Sequence, residues 1–208
     1  LTGATFRFDA CSVYQTTGGA APVGFAVAQV NSNLYAAVGQ MVGHWSGATN
    51  TFDIVKILAG IATSIATFGA NVYVALGDST AFVYGTDTTW TTSTLAGNSK
   101  YAQHFRVGTD AAGTPGLWRS FWPNTVGGSS NPVNGGTDWT TYTVGDSENR
   151  IRGLHWWNRT ILVGKDDGLY IFRQSYFDNI TAEKRTAPNS LNFGQGQEFL
   201  GALYLSGS

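Results

Sequence analysis

Charge is scarce in this chain. Asp, Glu, Lys and Arg make up 12% of its 208 residues, about half the ~25% usual for globular domains. The 12 basic and 13 acidic residues leave a net charge of −1, and no Lys/Arg cluster occurs. Nucleic acid is gripped mainly by basic side chains that displace counterions, so a nucleic-acid partner is excluded. The single cysteine, Cys11, rules out an internal disulfide or a thiolate metal site and reads as a small buried apolar residue. No apolar run reaches the ~18 residues that a membrane-spanning helix requires. The nearest, 54–68, is broken by Lys56, Gly60 and interspersed Thr and Ser, so membrane insertion is not expected. Sustained helical periodicity with caps is also missing. The chain opens on Leu1, without an initiator Met or a signal peptide, and reads as a processed product or a fragment.

Gly, Thr, Ser and Asn fill the space left by charge. Such a surface stays soluble through neutral hydrogen-bonding groups, a balance that suits an extracellular or virion protein. Hydrophobic residues at 42% suffice for a core.

The chain also repeats itself. Gly85-Thr86-Asp87-Thr88-Thr89-Trp90-Thr91-Thr92 returns as Gly136-Thr137-Asp138-Trp139-Thr140-Thr141. Asn33-Leu34-Tyr35-Ala36-Ala37-Val38-Gly39 returns 38 residues later as Asn71-Val72-Tyr73-Val74-Ala75-Leu76-Gly77, and more loosely as 160–164. Units of this length built only from strand signals predict an all-β fold: a β-propeller of four-stranded antiparallel blades. The predicted strands are 25–30, 33–39, 41–45 and 52–58; then 61–68, 71–77, 81–84 and 90–95; then 101–107, 116–122, 124–127 and 139–144; then 151–156, 160–164, 169–173 and an outer strand near 176–181. Val72, Val74 and Leu76 share one face of their strand, Tyr73 and Ala75 the other. Both faces are apolar, as blades packed on two sides require. Gly69-Ala70-Asn71, Gly77-Asp78-Ser79, Asn158-Arg159 and Asp166-Asp167-Gly168 supply turn chemistry.

A single domain over 1–208 is expected, with blades at about 23–60, 61–97, 101–146 and 150–195. Segment 198–205 reads as the first strand of a further blade and 4–15 as later strands of one. A fifth blade shared between 1–20 and 197–208 leaves no open edge. A fragment of a larger propeller is the competing reading.

In such blades the second-to-third-strand turns and the links between blades share one rim. Asp78, Asp146, Glu148, Arg150, Lys165, Asp166 and Asp167 fall there, seven of the 25 charged residues (12 basic, 13 acidic). Asp87 and Asp138 fall on the other side. The rim group marks a candidate partner-binding face, weighed against the tendency of loops to carry charge. Asp166-Asp167-Gly168 lacks the D-x-[DN]-x-[DN]-G calcium pattern and reads as a hairpin turn. His44, His104 and His155 lie on different strands, without metal-ligand spacing. No G-x-S-x-G elbow occurs, and no carboxylate pair stands out. No cofactor is called for. Trp90 and Trp139 start equivalent outer strands and are expected to be structural, with Trp45, Trp118 and Trp156 packing similarly. Trp122, before Pro123, and Trp157, beside the Asn158 turn, are the candidates for exposed platforms against a sugar ring or protein partner. Asn158-Arg159-Thr160 and Asn179-Ile180-Thr181 are glycosylation sequons in a secretory context.

Two resemblances follow. Asn134-Gly135-Gly136-Thr137-Asp138-Trp139 resembles the S/T-x-D-x-G-x-T-W box of sialidases and many non-enzymatic propellers, with Asn134 in place of its Asp and Asp138 in place of its Thr. That box stabilises a turn, and the Arg-Ile-Pro motif of sialidases is missing here. Segment 151–172, with its Val163-Gly164-Lys165-Asp166-Asp167-Gly168-Leu169-Tyr170 centre, resembles the blade phrase of propeller proteins in tailed-phage virions. This second resemblance implies a virion role in tail or surface structure, attachment or decoration, and no catalytic residues.

The preferred expectation is therefore a non-enzymatic virion propeller, virion-borne or extracellular. Its loops contact another virion protein or a host-surface glycan, and homo-oligomerisation stays open. A secreted lectin-like propeller is the first alternative, a glycosidase or lyase propeller the second.

Overall fold

The structure, a computed structural model, describes residues 6–9, 12–15, 24–27, 33–109, 113–133, 139–173, 175–180, 196–199 and 202–205. Cys11, Asp138 and the box-like segment 134–138 lie outside them, as does Thr181 of the second sequon. The described residues form 22 β-strands joined by turns, with one short 3-10 turn, and the chain divides into two compact units, residues 1–93 and 94–208.

The first unit contains strands β1 (Phe6–Asp9), β2 (Ser12–Gln15), β3 (Gly24–Val27), β4 (Leu34–Val38), β5 (Met41–Ser46), β6 (Thr51–Ile57), β7 (Ser64–Phe68), β8 (Asn71–Ala75), β9 (Gly77–Ala81), β10 (Val83–Thr86) and β11 (Thr89–Thr92). β1 and β2 form a hairpin. β3-β4-β5-β6 and β7-β8-β10-β11 form four-stranded antiparallel sheets in that order. Two-residue turns join most neighbours. Val38 pairs with Met41 across Gly39 and Gln40, and Phe68 pairs with Asn71 across Gly69 and Ala70. Gly39 and Gly69 take φ near +55 and +58, the left-handed geometry that lets a tight hairpin follow the strand twist.

The second sheet corrects the expected turn at 77–79. Gly77 turns the chain out at φ +85, 77–81 runs on as an extra strand, and the third strand of the sheet begins only at Val83, opposite Val74. The core is the predicted two-faced one: Val72 and Val74 on one side and Tyr73 and Ala75 on the other are all buried. Each such aliphatic side chain contributes about 1.5–3 kcal/mol of transfer free energy. β3 packs on β7, so first strand meets first strand.

A stitch joins these two sheets. Tyr35 of β4 is fully buried, and its hydroxyl donates to the Asp87 carboxylate at 2.7 Å while accepting the Asp87 backbone N–H at 2.9 Å. Asn33 adds a side-chain bond to the same carboxylate oxygen. Asp87 occupies the β10–β11 turn at φ +48, and its carbonyl accepts the Trp90 indole N–H at 2.7 Å. The two repeated phrases, Asn-x-Tyr and Gly-Thr-Asp-Thr-Thr-Trp, are the two halves of this contact.

The second unit contains a 3-10 turn (Gly97–Lys100), β12 (Tyr101–Ala102), β13 (His104–Thr109), β14 (Pro115–Phe121), β15 (Thr125–Ser129), β16 (Thr140–Thr143), β17 (Ile151–Trp157), β18 (Thr160–Lys165), β19 (Gly168–Arg173), β20 (Tyr176–Asn179), β21 (Gly196–Phe199) and β22 (Ala202–Leu205). β13 to β16 and β17 to β20 form two meandering four-stranded sheets. Segment 198–205, expected as one strand, is part of a hairpin instead: Phe199 pairs with Ala202 across residues 200 and 201. β13 packs on β17, and β17 on β21. Between the sheets Trp118, Tyr142, Phe172 and Phe177 form a chain of ring contacts, among them Tyr142–Phe172 at 4.8 Å. Gly108 admits the Trp156 ring: a Cβ there would lie 2.5 Å from it. Asn158 and Arg159 both take positive φ, the type I′ geometry that fits their two-residue hairpin.

His104 of β13 has an enclosed Nε2 without a hydrogen-bond partner. Burial lowers its pKa to about 4, against a raising hydrogen bond with the Ile151 backbone and with smaller lowering contributions from His155 and Arg152. The unfolded chain binds this proton at the ordinary 6.5, the folded chain only near 4. Stability is thus whole above pH 6.5 and falls as pH drops toward 4, by up to about 3 kcal/mol from this group. Urea midpoints at pH 7 and pH 4 should differ less in His104→Gln than in the parent. An equal drop in both would remove His104 as the cause.

Candidate functional site

One end of the second unit gathers Trp122 and six of the seven rim charges, all but Asp78. Register explains why. β14 runs up to Trp122, and the 122–124 turn is held by Asn124, whose carbonyl accepts the Val144 N–H at 2.8 Å and whose amide donates to the Gly145 carbonyl at 2.9 Å. The link from β16 to β17, residues 144–150, therefore lies along this turn. β18 and β19 meet at the same end through Asp166 and Asp167, because Ile151 and Gly168 both pair with Lys165.

The exposed part of this surface is aromatic and charged. Trp122 is 43% exposed, and the Arg150 guanidinium lies over its ring, 4.7 Å from the centroid. Glu148 and Asp146 are exposed beside them. The Asp146 carboxylate accepts the backbone N–H groups of Glu148 and Asn149 and the Asn149 side chain. These bonds, led by the Asn149 backbone, hold it below the usual carboxylate range. Asp166 is held low as well. Burial opposes this, but the Arg152 side chain, in a two-pronged pair at 2.5 and 3.1 Å, and the Arg150 backbone N–H outweigh it. Tyr170 donates to Asp167 at 2.6 Å, and burial together with that bond pushes the phenol upward.

Lys165 corrects the sequence reading. Its place before the turn put it on the rim, yet it is wholly buried. The register turns its side chain inward, where Nζ donates to the carbonyls of Val144 and Asp146 at 2.7 Å each and lies over the Tyr170 ring. It is the bolt beneath the link and not a contact group. Asp78 is exposed on β9, in the other unit. Trp157 is half-buried and pairs with Thr160 at the far end of β17, so it does not join Trp122. Arg150, Arg152 and Asn149 are the residues that complete the surface. Arg150 was legible as a rim charge; its stacking on Trp122 was not, since that pairing depends on folding.

Sequence also missed Arg119. It lies fully buried in β14, where Nη1 donates to the Asn98 and Tyr101 carbonyls. Its guanidinium sits 4.5 Å from the Phe121 ring centroid and 4.6 Å from that of Trp139. Like Lys165, it bolts down the link that leads into its own sheet. Trp139 and Trp118 are buried as expected. Among the described residues no group of three or more His, Cys, Asp and Glu is placed to hold a metal ion.

No protein-family profile and no curated protein matches the chain. Among solved structures, the extracellular domain of a hybrid two-component system of B. thetaiotaomicron aligns with 96% of this chain at 13% identity, with a TM-score of 0.52. The chain spans 35% of that chain's length. At this identity the likeness concerns the all-β fold alone.

Proposed function

We propose that the sheets are blades of one β-propeller domain spanning the chain, its fifth blade shared between the termini. In this reading the chain is a non-enzymatic contact module, and the Trp122–Arg150 surface meets another protein or a surface glycan. The propeller reading is supported by first-strand-on-first-strand packing of β3 on β7, β13 on β17 and β17 on β21, the stacking of radial blades. Attachment or decoration at a phage virion surface is the narrower form, resting on the likeness of 151–172 to virion propellers.

One observation carries the contact reading. An exposed, cation-stacked tryptophan stands on links whose charges are already spent on shaping them. A general acid needs a carboxyl held near or above neutrality; Asp146 and Asp166 are shifted the opposite way. Fixed, ionised carboxylates around a rigid aromatic–Arg pair suit recognition, where such anchors dominate affinity. The test is biolayer interferometry of the purified chain against immobilised host-cell polysaccharide and against the proteins of its source particle. Trp122→Ala should weaken the interaction at least about tenfold with the melting temperature unchanged. Equal binding by parent and variant, or polysaccharide turnover abolished by one Asp or Glu substitution, would overturn the proposal.

A further inference from the structure

The far end of the β13–β16 sheet carries a second feature. A cleft of about 150 Å³ opens there, lined by Thr114, Pro115, Gly116, Trp118, Gly128, Ser129, Ser130, Thr140 and Tyr142. Trp118 pairs with Gly128 and Gly128 with Thr140 across three strands. Gly116 and Ser130 lie two residues from this rung and Tyr142 two beyond it, so all project to one face. Trp122 stands at the opposite end of β14, roughly 20 Å away at the usual rise per strand residue.

Two glycines make the hollow. A Cβ on Gly128 would lie 3.1 Å from the Trp118 indole, and one on Gly116 3.0 Å from the Ser129 carbonyl oxygen. The indole therefore lies down over the Gly128 backbone, braced by Tyr142 and Phe172. Ser130 and Thr140 are exposed at the mouth. Ser129 is buried behind them, its Oγ accepting the Asn131 N–H at 3.0 Å.

We propose that this cleft binds a single neutral sugar residue, such as the terminal hexose of a glycan. None of the nine lining side chains carries charge at neutral pH, so phosphate, carboxylate and ammonium groups find no counter-charge. The hydroxyls of Thr114, Ser129, Ser130 and Thr140 and a partly open phenol ring match the alternating hydroxyl and C–H faces of a pyranose. The volume lies well below the ~300 Å³ at which drug-sized pockets begin, which selects one ring over an oligosaccharide. Trp118 is 2% exposed, so it shapes the floor and offers no stacking platform. Affinity is accordingly expected in the millimolar range. The cleft does not depend on the Trp122 surface; either site can fail without the other.

Saturation-transfer difference NMR on the purified full chain tests this, with glucose, galactose, mannose and N-acetylglucosamine as probes and with sialic acid and glycerol as controls. Transfer to at least one neutral sugar is expected, exceeding that to sialic acid or glycerol. It should fall at least about fivefold in the Ser130→Val/Thr140→Val double variant and persist in Trp122→Ala. Both substitutions are at exposed positions, and an unchanged melting temperature would confirm folding. Should either unfold the chain, Ser130→Leu provides the same test by filling the mouth. No transfer to any neutral sugar, equal transfer to glycerol, or undiminished transfer in the filled variant would overturn the assignment.

Discussion

Arg119→Ala is expected to remove about 3–5 kcal/mol of folding stability, the range for deleting a large buried side chain together with its charge-assisted hydrogen bonds. The loss has opposing parts. Truncation opens a cavity between Phe121 and Trp139 and leaves the Asn98 and Tyr101 carbonyls without their donor. Against this, burial already penalises the cation, pulling its pKa from 12.5 to about 10, a cost of about 3 kcal/mol at neutral pH. Arg119→Met sheds the same charge and the same two hydrogen bonds as Arg119→Ala but keeps most of the volume, so it avoids the cavity. Arg119→Met should therefore lose less than half of what Arg119→Ala loses, as replacement of buried charges by apolar isosteres often shows. Urea denaturation at pH 7 measures both. Equal losses would mean that packing between Phe121 and Trp139 counts for little and that the hydrogen bonds dominate.

Lys165→Met should cost about 3 kcal/mol, since two bonds from a charged donor are lost and buried carbonyls are left behind. The nearby Asp146 carboxylate contributes little. It stands 3.9 Å from Nζ with its side chain 54% exposed, and pairs of that kind are worth under ~1 kcal/mol. Asp146→Asn should thus be far milder. Gly145→Ala attacks the same bolt from the other side: Gly145 holds φ +56, and a Cβ there would meet Tyr170 Oη at 2.6 Å and Lys165 Nζ at 2.9 Å. Hydrogen exchange supplies the local readout. Lys165→Met and Gly145→Ala should both speed amide exchange across 144–150 and loosen Arg150 from Trp122. If exchange there is unchanged while global stability falls, Lys165 supports the sheet and not the link.

Strand order was readable because alternation and turn residues agree. Asn71 to Leu76 shows both buried faces in its side chains, and Gly69 and Asn158 mark tight hairpins at the correct places, whereas Gly39, expected to end a strand, begins a tight turn. The misses share one cause. Whether a charged residue next to a turn faces water or core depends on register and on the neighbouring link, which is tertiary information. Residue type alone therefore places Lys165 on the surface, and nothing in Trp118 and Ser120, the neighbours of Arg119, marks it as a buried anchor. The 77–81 strand was hidden because Gly-Asp-Ser is good turn chemistry, although Gly77 here diverts the chain instead of reversing it. Segment 198–205 contains one hydrophobic stretch in which Gly201 was the sole sign of a reversal. The cleft was invisible for a different reason: Gly116 and Gly128 matter by what they leave out, from strands whose pairing must be known first.

The Tyr35–Asp87 stitch gives the repeat a direction. The sheet β3–β6 offers a socket, Asn33 and Tyr35 at its second strand, to the β10–β11 turn of the sheet that follows it. Plug and socket are different surfaces, so copies add head to tail and cannot mate face to face with themselves. Duplicating a sheet that carries both halves extends such an array without inventing a new interface. The cost falls on the ends, where half a stitch is left over. In any array built this way, selection acts hardest on the end sheets, which must find each other, acquire a cap or meet another molecule.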